Sequence, residues 1–280
     1  MAPLPSDSAR HVLRWLGQTH PGRVRENNED SFLGLQFNAQ EINYLGKFGE
    51  APMTAYDFVF AVSDGMGGAK AGEFASRITV DKIAHLLPRS FKQSALGLHT
   101  PFEDIFTELY DQIHRALTYV GWGDEDVHGM QATLTLCWFT PGWLGFAHIG
   151  DSRLYYLPAT GKGLKQLSLD DTYVGWLFRT GQINEREARM HPRRTALQKA
   201  LGGGNQFVEP QVGVVAYEPG DRFMLCTDGV SDGLFTEQID NLLRQPDEHE
   251  AQMNPAQRLV ELSVANAGRD NTTAVVIEVM

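Results

Sequence analysis

The sequence predicts an α+β domain, with β-structure dominating both ends of the chain and helices gathered between them. Apolar runs bounded by glycine or aspartate outnumber helical patterns toward both ends. Two long stretches in the middle place their apolar residues on one helical face. With 280 residues and 42% hydrophobic content, the chain suits one large domain with a substantial core.

Taken in order, "HVLRWLGQ" (11–18) reads as a first strand, and 37–56, with scattered glycines and charges, as a surface insertion. "FVFAVSDGMGG" (58–68) is an apolar strand running into an aspartate and glycines. Residues 73–87 form a helix with Phe74, Ile78, Ile83, Ala84 and Leu87 on one face. Residues 102–120 repeat the pattern through Ile105, Phe106, Leu109, Ile113, Ala116 and Leu117. "ATLTLCWF" (132–139) and "WLGFAHIG" (143–150), joined by "TPG", read as a hairpin. Residues 170–200 are polar, with two short helices expected around "NEREARM" and "RRTALQKAL". "HPRR" (191–194) then reads as a solvated helix start or as a contact for phosphopeptide, and "LGGGNQ" (201–206) as a helix stop, since the latter lacks the Lys-Ser/Thr ending of a phosphate loop. "RFMLCT" is a strand, Pro255 opens a helix stopped at Gly268, and "TTAVVIEV" closes the chain as a strand. Trp122, Trp143 and Trp176 are expected to pack in the core or beneath the 168–192 segment.

Composition excludes several classes. A formal net charge of −11 disfavours nucleic acid and anionic membrane surfaces as partners. Cys137 and Cys226 sit in apolar runs, as buried thiols of a reducing compartment do. Neither is followed six positions later by arginine, because Trp143 and Asp232 stand there, which excludes a cysteine-nucleophile phosphatase. No run is long enough to span a bilayer and residues 1–9 read as a flexible start, so a cytoplasmic protein is expected.

The aspartate after the apolar run at 58–62 recurs. "FAHIGDSR" places Asp151 after a second strand, "FMLCTDGV" places Asp228 after a third, and "GRDNTTAVVIEV" places Asp270 before a fourth. Antiparallel pairing brings the start of one strand beside the end of its neighbour, so Asp64, Asp151, Asp228 and Asp270 can share one rim. Any one Asp-Gly pair is an ordinary turn signal. Four clustered carboxylates repel one another unless cations neutralise them, and an all-oxygen set suits Mg²⁺ or Mn²⁺ rather than zinc. Upstream, "THPGRVRENNEDSF" (19–32) carries Arg23 and Arg25 near Glu29 and Asp30, and an arginine there can hold two phosphate oxygens in a fork.

The ordered set "GRVRENNED", "VSDGMGG", "HIGDSRLYYL", "CTDGVSDGL" and "RDNTTAVVIEV" resembles the metal-dependent protein phosphatases (PPM, type 2C) in their bacterial serine/threonine branch, over about residues 12–279. The resemblance implies a four-layer α-β-β-α sandwich, two stacked antiparallel sheets flanked by helices, as a single domain over 10–280 with a mobile flap over about 168–192. It implies two or three Mn²⁺ or Mg²⁺ ions, with Asp64 bridging, the Gly65 carbonyl, Asp228 and Asp270 completing the inner set, and Glu29 and Asp30 acting through water. Asp151 with Asp228 matches a third metal site, Arg25 the phosphate-gripping arginine, and Asn271 a residue that orients the Asp270 carboxylate.

The implied activity is hydrolysis of phosphoserine and phosphothreonine in proteins by a water activated between metal ions. The expected partners are phosphoproteins and a bacterial serine/threonine kinase, with the enzyme as a monomer. Three departures from the family pattern stand out, one being the segment after Gln36, which is longer than the motif spacing of compact bacterial members requires. Met66 follows the Asp-Gly pair where many eukaryotic members have histidine, and "QATLTL" stands where Gly-Thr-Thr is usual, leaving Thr133 as the match. A binding module that kept the fold but lost turnover is the competing reading, and retention of Asp64, Asp228, Asp270 and Arg25 argues against it. A two-metal nuclease lacks the basic stripe with aromatics that it would need.

Overall fold

The computed structural model describes residues 11–95, 102–161, 163–204 and 208–280; the expected flexible segment 1–9 lies outside them. Two antiparallel sheets carry the fold. The first runs, edge to edge, β10 (Lys165–Gln166), β9 (Arg153–Leu157), β13 (Arg222–Cys226), β14 (Thr272–Val279), β1 (Val12–His20) and β4 (Phe48–Pro52). The second runs β11 (Leu201–Gly202), β6 (Gln131–Ala132), β5 (Asp57–Met66), β7 (Leu134–Thr140), β8 (Trp143–Ile149) and β12 (Gln211–Ala216), with β2 (Asp30–Phe37) paired to β5 and β3 (Ile42–Tyr44) to β2.

Side chains alternate across each strand, so a strand covered on both faces is apolar throughout. In β5, Phe58, Phe60 and Val62 point between the sheets, where they meet Trp15, Phe139, Phe223 and Ile277. Val59 and Ala61 point the other way, into the cluster formed with the helices α1 (Ala69–Ala95) and α2 (Phe102–Gly123). β14 does the same for the first sheet. Its Val275 and Ile277 face inward, while Ala274 and Val276 pack on α5 (Asp228–Gly233), α6 (Thr236–Arg244) and α7 (Pro255–Asn266). The result is the expected four layers, helix, sheet, sheet, helix.

Several local expectations need correction. The 37–56 segment supplies β3 and β4 and so extends both sheets. Gly49 is a packing requirement, since a Cβ there would lie 2.4 Å from the Trp15 ring, whose Nε1 donates to the Gly46 carbonyl at 3.0 Å. The polar middle forms α3 (Tyr173–Arg179) and α4 (Glu185–Met190), the latter with a capping box between Asn184 and Glu187. No helix follows at 193–201. There Leu197 bridges to Thr172, the Gln198 amide donates to the Asp171 carbonyl at 2.7 Å, and Leu201 enters β11. Residues 191–194 are therefore the turn after α4 rather than a helix start, and Gly202 to Gly204, all with positive φ, continue a strand into a turn rather than stop a helix. Trp122, Trp143 and Trp176 are exposed, not packed in the core.

The helix α1 starts against the end of β5. A Cβ on Gly65 would lie 1.9 Å from the Gly72 carbonyl oxygen, and one on Gly72 would lie 2.1 Å from Glu29 Oε2. The first is a backbone approach that only glycine permits, whereas the second meets the end of the Glu29 side chain, with the Gly65 carbonyl oxygen 2.7 Å away. Gly65→Ala is accordingly expected to destabilise the protein by at least about 2 kcal/mol in denaturant titration. A variant of wild-type stability would show that the helix can move aside.

Candidate active site

Each acidic residue of the motif set sits where a strand starts or stops, and all of these termini lie at one end of the sandwich. Asp30 opens β2 directly opposite Asp64 near the end of β5. Asp151 follows β8, Asp228 follows β13 at the first turn of α5, and Asp270 precedes β14. A pocket of about 670 Å³ at this end is lined by Arg25, Glu29, Asp64, Gly65, Met66, Asp151, Asp228, Asp270 and Asn271. The structure therefore brings all the sequence-predicted site residues together, with Asp30 buried behind the lining.

Asp30 is held by neutral hydroxyls that leave its charge uncompensated. Asp30 Oδ2 accepts from Thr227 Oγ1 at 2.8 Å and Thr273 Oγ1 at 2.6 Å, while its Oδ1 is buried without a hydrogen-bond partner. Asp228 Oδ1 is likewise buried and unpartnered. Thr133 is bonded to Asp64 through the backbone and fixes the end of β5: its amide donates to the Asp64 carbonyl at 2.8 Å and its Oγ1 accepts from the Asp64 amide at 3.0 Å. Thr133 Oγ1 also contacts Ser152 Oγ at 2.8 Å.

The protonation equilibria follow from this arrangement. Burial first, then Asp30, Asp228 and Asp151, raise the Asp64 carboxyl well above the ordinary range. Asp228 is raised by burial, then by Asp151, Asp232 and Asp270. Asp30 is pushed up to about 7 by burial, against the pull of its two threonine hydroxyls. Asp151 reaches about 7 for the same first reason, with Asp170 adding to it and Arg153 opposing it.

Arg25 forks onto the rim, with Nε 3.0 Å from Asp270 Oδ1 and Nη2 3.1 Å from Asp270 Oδ2. Asn271 contacts the Asp270 carboxylate through its backbone and the neighbouring loop through its side chain. Its side chain accepts from the Glu29 amide at 2.7 Å and donates to the Pro21 and Asn27 carbonyls at 2.9 Å, so it fixes the 21–29 loop, while only its backbone amide reaches Asp270 Oδ1, at 3.0 Å.

Other residues of the site were not predicted. Asp171 ties the 168–192 segment to the rim by accepting from the Gly150 amide at 3.0 Å, and its own amide donates to the Gly150 carbonyl at 2.7 Å. Arg153 and Asp170 form a partly buried fork with contacts of 2.6 to 3.2 Å beneath α3. Asp232 stands four residues after Asp228 in α5, on the same helical face, a spacing visible in "TDGVSDG". Thr227 and Thr273 carry no signal of their own in a sequence.

Among the described residues, no three acidic, histidine or cysteine side chains are gathered closely enough to form a ready-made cage for an ion. The acids form an open cluster. Their chemistry nevertheless fits hard divalent cations, because the donors are all oxygen and two buried carboxylate oxygens have no proton donor.

A carboxyl whose folded-state pKa exceeds its unfolded value stabilises the fold while both states are protonated, and that contribution is lost as pH rises through the folded value. In chelator, stability is therefore expected to fall between about pH 4 and about pH 7, the range set by Asp30 and Asp151. Asp64→Asn, which removes one buried charge, is expected to raise Tm at pH 7 in chelator by roughly 2–6 °C. A lower Tm for this variant would show that the charges are not in conflict.

The chain matches the family model described as protein phosphatase 2C over residues 52–262. It is 35% identical over 272 residues to the serine/threonine protein phosphatase PstP of Mycobacterium tuberculosis, an alignment covering 96% of this chain and 45% of PstP. The chain thus spans under half the length of that relative. It is 28% identical over 262 residues to the serine/threonine phosphatase stp of Listeria monocytogenes, covering 93% of this chain and 94% of stp. A crystal structure of the PstP catalytic domain in complex with two manganese ions superposes with a TM-score of 0.72 at 32% identity, covering 96% and 99% of the two chains. Fold, motif order and these similarities agree, and the chain belongs to the protein phosphatase 2C family.

Proposed function

We propose that this protein is a metal-dependent serine/threonine phosphatase that hydrolyses phosphoserine and phosphothreonine in proteins. The observation that carries the reading is the buried acidic rim, with unpartnered oxygens on Asp30 and Asp228, facing one pocket that Arg25 borders. Relatives named serine/threonine phosphatases, one of them holding two manganese ions, support it.

Asp64, the Gly65 carbonyl, Asp228 and Asp270 would hold two Mn²⁺ or Mg²⁺ ions, with Glu29 and Asp30 behind them and Asp151 with Asp228 beside a third. When bound, such ions lower the pKa of a water and offset the charge of a transferring phosphoryl group. The chain's own groups do the rest. Arg25 exchanges Asp270 for two phosphate oxygens and orients the ester. Thr133, Asn271 and Asp171 hold the β5 end, the 21–29 loop and the Gly150 turn, which carry the acids. The unneutralised rim repels a phosphate dianion, so turnover depends on the cations.

The substrates are products of a serine/threonine kinase. A reducing, cytoplasmic setting is supported by Cys137 and Cys226, both buried as free thiols, and no described helix is long and apolar enough to cross a membrane. Because no acidic position of the motif set is replaced, turnover is favoured over a binding module.

Hydrolysis of an aryl phosphate is expected in Mn²⁺ and absent in excess chelator; equal rates in both would refute the metal requirement. Arg25→Ala is expected to raise KM about tenfold or more while Mn²⁺ affinity is kept, since Asp270 is released from its ion pair. Loss of Mn²⁺ binding with KM unchanged would reassign Arg25.

A further inference from the structure

Beside the acidic pocket lies a second, open groove of about 790 Å³, lined by Arg23, Arg189, Arg194 and Arg269, with Met190 and Asn266 among its other walls. Val24 borders both depressions. Four guanidiniums face a single carboxylate, Asp232, in a chain whose net charge is −11. Asp232 is already engaged: its Oδ2 accepts from Arg194 Nη2 at 2.9 Å and its backbone carbonyl accepts from Arg189.

The other cations are poorly neutralised. Arg269 is exposed and, among the described residues, has no ion-pair partner. Arg23 donates from Nη2 to the Ala267 carbonyl at 3.2 Å, with no acid against it. Arg189 is stacked 4.0 Å over the Phe235 ring, and its Nη1 is buried without a hydrogen-bond partner. Burial, reinforced by Arg153 and Arg194 and opposed by Asp232 and Glu185, pulls Arg189 below its ordinary pKa. A surplus of forked cations this dense is stabilised by a multivalent oxyanion.

The position specifies the source of that anion. Arg23 is two residues from Arg25, and Arg269 is adjacent to Asp270, so whatever fills the groove lies next to the ester bound at Arg25. We propose that this groove is a subsite for a second phosphoryl group on the same substrate chain, so that doubly phosphorylated segments are preferred. The proposal rests on the phosphatase reading above. Arg23 and Arg269 are the specificity-determining residues, acting on substrate affinity rather than on bond cleavage.

The test uses synthetic peptides of one sequence, carrying either a single phosphothreonine, a second phosphothreonine two to five residues to either side, or glutamate in that second place. Wild-type protein in Mn²⁺ is expected to show a KM roughly 5–20-fold lower for at least one doubly phosphorylated peptide, with kcat unchanged. In Arg269→Ala and Arg23→Ala, that preference is expected to shrink to about twofold or less, while aryl phosphate turnover and Tm stay at wild-type values. No preference in the wild type, or a preference undiminished in both variants, would overturn the subsite. Equal preference for glutamate would overturn its assignment to a phosphoryl group. Aryl phosphate turnover by the wild type reports the catalytic reading alone, and calorimetric binding of the same peptides to Asp64→Asn reads the groove without turnover.

Discussion

The constraint on which this structure depends is the burial of mutually repelling carboxylates at one end of two stacked sheets. No interaction among the acids themselves favours their meeting. They are brought together because they stand at strand termini whose positions are fixed by packing elsewhere: Phe58, Phe60 and Val62 on one face of β5 and Val59 and Ala61 on the other leave Asp64 no register but the one opposite Asp30. The hydrophobic effect acting along several strands thus opposes an electrostatic penalty at their ends, and the penalty is what cations can relieve.

The polar shell around the rim restricts movement without neutralising charge. Thr227 and Thr273 donate hydroxyl protons to one oxygen of Asp30 and leave the other bare. Asn271 bonds three backbone groups of the 21–29 loop, and Asp171 does the same for the Gly150 turn from the opposite side. Cationic side chains are placed at the margin instead. Arg25 pairs with Asp270 at a partly exposed position, and the remaining surplus lies in the neighbouring groove. An acidic chain thereby concentrates positive charge beside its acidic pocket.

Much of this is legible in the sequence, for identifiable reasons. Apolar runs ending in aspartate mark β5, β8 and β13, because a strand buried on both faces must be apolar throughout and its ligands can only sit beyond it. The closing strand Thr272–Val279 matches its sequence reading residue for residue, being a β-branched run bounded by Asp270 and Asn271. Tertiary override accounts for the failures. "RRTALQKAL" is composed of helix formers, but the Asp171 carbonyl captures the Gln198 amide, and the segment crosses to β11 as a turn. Gly49 resembles a loop residue, yet it admits the Trp15 ring against β4. The hydroxyls on Asp30 and the role of Asn271 toward the 21–29 loop depend on contacts more than 190 residues apart, which no local pattern encodes.

The central claim, that the fold holds carboxylates in conflict until cations arrive, is tested most directly by calorimetric titration of Mn²⁺ into the chelated protein near pH 6.5, in buffers of different ionisation enthalpy. The account predicts that binding releases protons, because Asp30 and Asp151, pushed up to about 7 by burial, are partly protonated beforehand, and Asp64 and Asp228 are raised in the same direction. It also predicts that the release diminishes as pH rises. Mn²⁺ binding with no proton release across this range would contradict it, since the acids would then be ionised and at rest without metal.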